Sequence, residues 1–197
     1  MDNGIFVQSN DNTIINNFIT EPRFGVQTVG NVRNIIKGNT IILANSARAG
    51  IFLDIDLTNA KSSDDNQILD NTIIGSSEDF SRGIQNRGKR NVIQGNTIDK
   101  CGSNGIRVQS DTFRFIGSQD TFTVISEGVI IKDNSITNTG IGQAADQQEF
   151  SAGISIENFD RESLNIVVIK NTLAGNVNGI KTKGTVDTVE AGNVIGN

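Results

Sequence analysis

The 197-residue chain has no histidine, tyrosine or tryptophan, and a single cysteine, proline and methionine. Each absence removes a chemistry. Without histidine there is no Ser-His-Asp triad, no Cys-His pair and no zinc site of the usual imidazole kind. The one thiol, Cys101, falls in a turn segment and has no partner for an internal disulfide, so it reads as a turn residue and not a nucleophile. Phenylalanine is left as the sole aromatic able to stack on a sugar ring. No apolar run reaches membrane-spanning length, and no charged-then-apolar leader opens the chain. A net charge of −5 with no dominant basic face argues against nucleic acid. Gly140-Ile141-Gly142 lacks the strand-to-helix setting of a phosphate loop. Neither a membrane nor a nucleic-acid partner is expected.

What the chain does have is a repeat. The segment Asn91-Val-Ile-Gln-Gly-Asn-Thr-Ile98 recurs in variant form at 14–19, 36–41, 68–73, 131–136 and 168–173, with a degenerate copy at 189–195. In every copy one asparagine stands two residues before the closing apolar residue: Asn17, Asn39, Asn71, Asn96, Asn134, Asn171 and Asn193. A second motif interleaves with it. Glycine is followed by alternating apolar and polar residues, as at Gly4-Ile5-Phe6-Val7-Gln8, Gly105-Ile106-Arg107-Val108-Gln109 and Gly153-Ile154-Ser155-Ile156-Glu157. Period-two alternation puts Ile106 and Val108 on one face of a strand and their neighbours on the other.

One alternating strand plus one asparagine turn between two short apolar strands makes a unit that cannot bury its own apolar face. Stacked units share a continuous core. The expected architecture is an all-β solenoid of about seven rungs, each about 4.8 Å high, with right-handed crossovers. It forms one domain over 1–197, with a hairpin insertion at 110–127. The asparagines read as an internal ladder. An amide facing into the tube can donate to the rung on one side and accept from the other, where an orphaned buried amide would cost about 1–3 kcal/mol.

These motifs resemble the pectin-lyase-like right-handed parallel β-helix superfamily, with its carbohydrate-binding and sugar-hydrolase type repeats. The resemblance covers nearly the whole chain and implies the fold far more strongly than any activity, because the superfamily holds lyases, hydrolases, epimerases, phage tailspikes and inert scaffolds. It also implies an extracellular, cell-surface or virion setting. The absence of tyrosine excludes the superfamily's tyrosine-based epimerases and lyases, and its hydrolases use a histidine and an Arg-x-Lys pattern that this chain lacks. Solenoids carry polar caps, whereas here the first alternating strand starts at Gly4 and the seventh rung runs to Asn197. The expectation is the remainder of a longer chain, or ends that pair in an end-to-end or trimeric homo-oligomer.

Insertions single out one face. Those at 57–66 and 110–127 leave the end of the alternating strands, those at 75–82 and 140–152 enter their start, and none interrupts the asparagine turn. They wall the outward row of the first sheet, where loops on a rigid scaffold place binding residues. Alternation assigns to that row Phe52, Asp54, Asp56, Gln85, Arg87, Arg107, Gln109, Ser155 and Glu157. In the pectate-lyase-like enzymes this face is the substrate groove, so the substrate-binding candidates are Phe52, Gln85, Arg87, Gln109 and Glu157.

Three readings compete for the row. Asp54 and Asp56, two residues apart on one strand and so about 6.6–6.8 Å apart at Cα, approach the carboxyl spacing of an inverting glycosidase. Alternatively they hold Ca²⁺ by oxygen ligands, with Asp64 or Asp65 assisting, and Arg107 or Arg87 takes the proton α to a uronate carboxylate as in calcium-dependent lyases. The catalytic candidates are therefore Asp54, Asp56 and Arg107, and the metal candidates Asp54 and Asp56; no other cofactor is implied. In the third reading the charges only neutralise one another, Asp54 with Arg87 and Glu157 with Lys183. Phe113, Phe115 and Phe122 read as the packed side of their hairpin. Arg82, Arg87, Lys89, Arg90, Arg107 and Arg114 on an otherwise acidic protein point to a carboxylate- or sulfate-bearing polysaccharide, since arginine pairs bidentately with such groups. The sequence-level function is thus binding of an acidic glycan, with cleavage by a lyase or hydrolase mechanism open. The runner-up is a non-catalytic structural or adhesive module of tailspike or surface-protein type. A flat ice-binding face on the outward threonines Thr40, Thr72, Thr97 and Thr172 is disfavoured by Ser135 in that row.

Overall fold

The computed structural model describes residues 3–76, 80–115, 119–141, 151–158 and 162–196. Among them there is no helix, and three parallel sheets each take one strand from every coil. The first sheet runs Asn3–Val7, Phe24–Val29, Ala49–Asp54, Arg82–Asn86, Asn104–Arg114, Ala152–Asn158 and Ile180–Lys183. The second and third are built of three-residue strands, such as Val92–Gln94 and Thr97–Asp99, on either side of each asparagine turn. The chain is a right-handed parallel β-helix of seven coils.

The core is a set of in-register columns. Ile36, Ile68, Ile93 and Ile131 stack in the second sheet and Ile41, Ile73, Ile98 and Ile136 in the third, all fully buried. Each apolar residue thus packs on its equivalents in the coils above and below, which is why no single repeat could fold alone.

The asparagine ladder runs the length of the tube. Asn96 Oδ1 accepts from Asn71 N and Nδ2, both at 3.0 Å, and Asn96 Nδ2 donates to Asn134 Oδ1 at 3.0 Å and to the Ile68 carbonyl at 3.0 Å. The same contacts recur from Asn17 through Asn39 to Asn193. A second ladder, unforeseen above, links Asn12, Asn34, Asn66 and Asn91 at the turn from the first sheet to the second. It closes where Asn91 donates to Asn86 Oδ1 at 2.7 Å and to the Ser63 carbonyl at 2.8 Å. Val129 and Ile166 occupy its place in the next two coils.

The residue before each ladder asparagine is left-handed: Asn16, Gly38, Asp70, Gly95, Asp133, Lys170 and Gly192 have φ between 53° and 68°. The turn reverses the chain between two three-residue strands, and Asn, Asp and Gly tolerate that conformation. Lys170, at φ 55°, is the exception. Lys170→Gly should therefore raise stability by about 0.5–1 kcal/mol, the strain relief exceeding the added chain entropy. Urea unfolding of the two proteins side by side measures it, and a lower midpoint for the glycine variant would count against the strain.

Glycine has a different task at the start of the first-sheet strands. A Cβ on Gly105 would lie 2.3 Å from Ile136 Cγ2 and 2.6 Å from the Gly153 carbonyl, and the same two contacts close on Gly25, Gly50 and Gly83. Here the coil turns so tightly that the closing isoleucine of the third sheet and the next coil's carbonyl occupy the space of a side chain. The glycine that opens each alternating motif is a packing requirement.

Candidate functional site

The outward row of the first sheet is in register across the coils: Gln27, Phe52, Gln85, Arg107 and Ser155 are successive partners. Beside it run Val29, Asp54, Arg87, Gln109 and Glu157. The insertions at 57–66 and 110–127 both leave the C-terminal end of this sheet. In the second, Thr121–Val124 pairs antiparallel with the extended strand Asn104–Arg114, matching Phe113 with Phe122. Of the walls at 75–82 and 140–152, residues 77–79 and 142–150 lie outside the described residues.

Asp54 is largely buried and satisfied. Its Oδ1 accepts from Arg87 Nη1 at 3.2 Å and from Ile55 N at 2.9 Å, and its Oδ2 from Gln27 Nε2 at 3.0 Å. Burial pushes its carboxyl above the usual range, opposed by the Ile55 hydrogen bond and by Arg87. The pairing of Asp54 with Arg87 across one coil is therefore present.

Asp56 does not share that strand, which ends at Asp54. The chain turns there because the Ser63 hydroxyl takes the Asp54 carbonyl at 2.6 Å and the backbones of Asp56 and Lys61 bond reciprocally. Asp56 Oδ1 accepts from Thr58 N and Asn59 N, and Oδ2 from Asn59 Nδ2 at 2.7 Å, an Asx-type cap of its own loop. Those hydrogen bonds, that of Asn59 Nδ2 first, hold its carboxyl below the usual range. The spacing argument for a two-carboxylate hydrolase loses its geometry.

Calcium fares no better. Both carboxylates already accept from protein donors, Asp64 takes Lys89 N and Ser62 Oγ, and Asp65 is clamped bidentately by Arg90 at 2.7 and 2.8 Å. Among the described residues no three carboxylate, histidine or cysteine side chains converge. The residues present do not fit a Ca²⁺ ion at Asp54 and Asp56.

Arg107 pairs with Glu157, Nη2 to Oε2 at 2.6 Å and Nε at 3.1 Å, and Ser155 Oγ donates to the other Glu157 oxygen. The expected partner of Glu157 was Lys183, its neighbour in the next coil. Arg107 takes it instead, because both lie nearly buried in adjacent coils. Gln85 and Gln109 form the floor, each 4% exposed, with Gln85 Nε2 donating to Gln109 Oε1 at 3.1 Å. Phe52, 6% exposed, lies under the guanidinium of Arg87, 5.2 Å from its ring centre. Phe113 covers the same guanidinium from the hairpin side at 5.1 Å and packs against Phe122 at 6.0 Å. Phe52 and Phe113 thus orient an arginine between them.

The basic cluster read from the sequence divides. Arg90 pairs with Asp65, Lys89 with Glu127 at 3.1 Å, and Arg114 lies out along the hairpin. Arg90 belongs to a turn column in which acid and base alternate by coil, Asp11, Arg33, Asp65 and Arg90, all left-handed.

Arg82, Arg87 and Arg107 are joined by two arginines the sequence reading missed, Arg23 and Arg48. The five line one cavity of about 300 Å³ with Phe24, Phe52, Gln85 and Gln109. Arg48 N donates to the Arg23 carbonyl at 2.7 Å and Arg82 N to the Arg48 carbonyl at 3.0 Å, so three arginines emerge one per coil where the strands begin. Among the described residues no carboxylate lies within ion-pair distance of Arg23, Arg48 or Arg82. Arg82 Nε is buried without a hydrogen-bond partner. Burial, with Arg107 adding like charge, lowers its pKa to about 10, so it stays cationic at neutral pH. A signal existed: Arg23, Arg48 and Arg82 each stand one or two residues before the strand-opening glycine. Cys101 is buried away from this face, its thiol pushed up to about 12 by burial, and is inert as a nucleophile at neutral pH.

No family model matches the chain, and no curated protein matches it by sequence. Among solved structures, the A-module of the mannuronan C-5 epimerase AlgE4 of Azotobacter vinelandii superposes with a TM-score of 0.55 at 16% identity. The match covers 98% of this chain and 54% of that one, so the chain spans about half the length of its structural neighbour. The two share the right-handed parallel β-helix fold. At this identity the likeness is one of fold, and the arginine cavity of this β-helix is read from its own residues.

Proposed function

We propose that this β-helix binds an acidic glycan, uronate-bearing or sulfated, in the arginine-lined groove of its first sheet. The observation that carries the reading is the charge of the cavity. Five guanidiniums line it, and two carboxylates beside them, Asp54 and Glu157, are already engaged by Arg87 and Arg107. Guanidiniums that lack carboxylate partners favour planar anionic oxygens, which they bind bidentately. The neighbour named a mannuronan epimerase supports a glycan over other polyanions.

Binding without turnover is the form the geometry favours. Asp54 and Glu157 are held in hydrogen bonds to cations and neutral donors, and Asp111 accepts from Gln109 Nε2 and Thr112 N, so each of these carboxylates is already engaged. The chain also has neither histidine nor tyrosine to supply a second proton-transfer group.

Affinity measured by calorimetry against linear oligouronates and heparin fragments, with neutral dextran as control, tests this. Arg82→Ala should weaken acidic ligands 10- to 100-fold, the equivalent of one charge-assisted hydrogen bond of about 1.5–3 kcal/mol. Added salt should weaken binding further. Equal retention of dextran, or an unchanged affinity in Arg82→Ala, would overturn the reading.

Asp54 makes the binding pH-dependent. Its raised pKa means that the carboxylate protonates above the usual aspartate range as pH falls, which frees Arg87 and adds a positive charge to the groove. A sulfated ligand keeps its own charge over that window, so its affinity should rise as pH falls through the Asp54 titration. In Asp54→Asn that rise should disappear; a rise of the same size would assign it to another group.

A further inference from the structure

We propose that the groove carries a lateral subsite, at the rim where the third sheet turns into the first, that takes an acidic sugar borne as a side branch of the glycan. The inference rests on the acidic-glycan reading above and adds where a second sugar goes.

A second cavity, of about 360 Å³, is lined by Ser46, Ala47, Arg48, Phe80 and Arg82. Among the described residues it shares Arg48 and Arg82, and no others, with the groove. The two cavities run in different directions. The groove takes residues from four successive coils, from Arg23 through Phe52 and Arg87 to Gln109, and so follows the axis over about 14 Å at 4.8 Å per step. Among the described residues the second cavity takes its lining from two coils, 46–48 and 80–82, all at or before the strand starts. It opens sideways from the groove at Arg48 and Arg82.

A linear chain lying along the arginine stack passes the mouth of this cavity without entering it. A substituent projecting from that chain at Arg48 and Arg82 does enter. The lining suits an acidic pyranose. Phe80, 56% exposed, offers an aromatic wall for the C–H face of a ring. Arg82 supplies a guanidinium whose buried Nε has no hydrogen-bond partner. An anion placed between Arg48 and Arg82 would sit at the junction, where both cavities share their charge.

The test is calorimetry on the whole chain with two probes. One is a linear oligouronate, with its carboxylates on the main chain. The other is a xanthan-derived oligosaccharide, with its carboxylates on side branches of a neutral backbone. Phe80→Ala should weaken the branched probe about tenfold and move the linear probe less than twofold, with an unchanged melting temperature. Arg48→Ala should weaken both, since the cavities share that residue. Equal effects of Phe80→Ala on the two probes, no effect on either, or failure of the branched probe to bind while the linear one does, would each overturn the lateral subsite and leave the groove standing. Failure of both probes to bind the unaltered protein would overturn the groove reading and the subsite together.

Discussion

Asn96→Leu should destabilise the protein by at least about 3 kcal/mol, a fall of roughly 6–12 °C in melting temperature for a chain of this length. The amide sits in the middle of the ladder and has no water to turn to. Its oxygen takes both the backbone N–H and the side-chain amide of Asn71, and its nitrogen serves Asn134 and the carbonyls of Ile68 and Gln94. Leucine matches it in size but removes every partner at once, leaving buried donors and acceptors on two neighbouring coils. The other end of the ladder provides the control. Among the described residues Asn17 donates to Asn39 and to the Ile15 carbonyl but its side chain accepts from none, and it is half-buried on the first coil. Asn17→Ala should cost less than about 1 kcal/mol. Equal losses at the two positions by urea unfolding would mean the ladder does not act through orphaned groups.

Gly105→Ala should be nearly as damaging, at about 3 kcal/mol, the upper end for overpacking. The added methyl meets Ile136 Cγ2 at 2.3 Å and the Gly153 carbonyl at 2.6 Å. Neither can yield cheaply. Ile136 is fully buried among its column neighbours, and the carbonyl belongs to a coil packed directly above. Gly196→Ala, where the nearest foreign atom is 3.9 Å away, should cost little. Chemical denaturation of the pair separates a packing requirement from a general preference for glycine. Comparable midpoints would show that the coil relaxes around the methyl group.

These two effects bear on function through rigidity. Arg23, Arg48 and Arg82 stand one per coil where the first-sheet strands begin, and their spacing is the rise of the coil. A variant that loosens one coil should weaken glycan binding even when it touches no lining residue. The salt bridges in the floor have a comparable task. Arg87 is held by Asp54 and by two phenylalanine rings, one from the sheet and one from the hairpin.

Most of the fold was legible in the chain because it is periodic. A solenoid repeats one local solution, so apolar pairs such as Ile93 and Ile98 and the asparagine between them carry the same meaning in each copy. The second ladder was equally written, with Asn12, Asn34, Asn66 and Asn91 each two residues before the second-sheet isoleucine. It is less legible because Val129 and Ile166 take its place after four coils, and a pattern present in four coils stands out less than one present in all. Asp56 was misplaced for a different reason. Alternation continues through Ile55 and Asp56 in the sequence, whereas the strand stops where Ser63 and Lys61 capture the backbone, and those bonds come from across a loop.

By itself the sequence determined the coil: its period, its core columns, its ladder asparagines and the sheet flanked by insertions. Local spacing is enough for that, since each property depends on residues a few positions apart. Register along one row was enough to pair Asp54 with Arg87, but only the tertiary structure decided the other charge partners. Arg107, and not Lys183, meets Glu157 50 positions away, and Arg90 leaves the groove for Asp65. Loops of different lengths separate these residues along the chain, while stacking brings them within one or two coils. Charge pairing follows distance in space, so the groove's surplus of arginine emerged only once the coils were stacked.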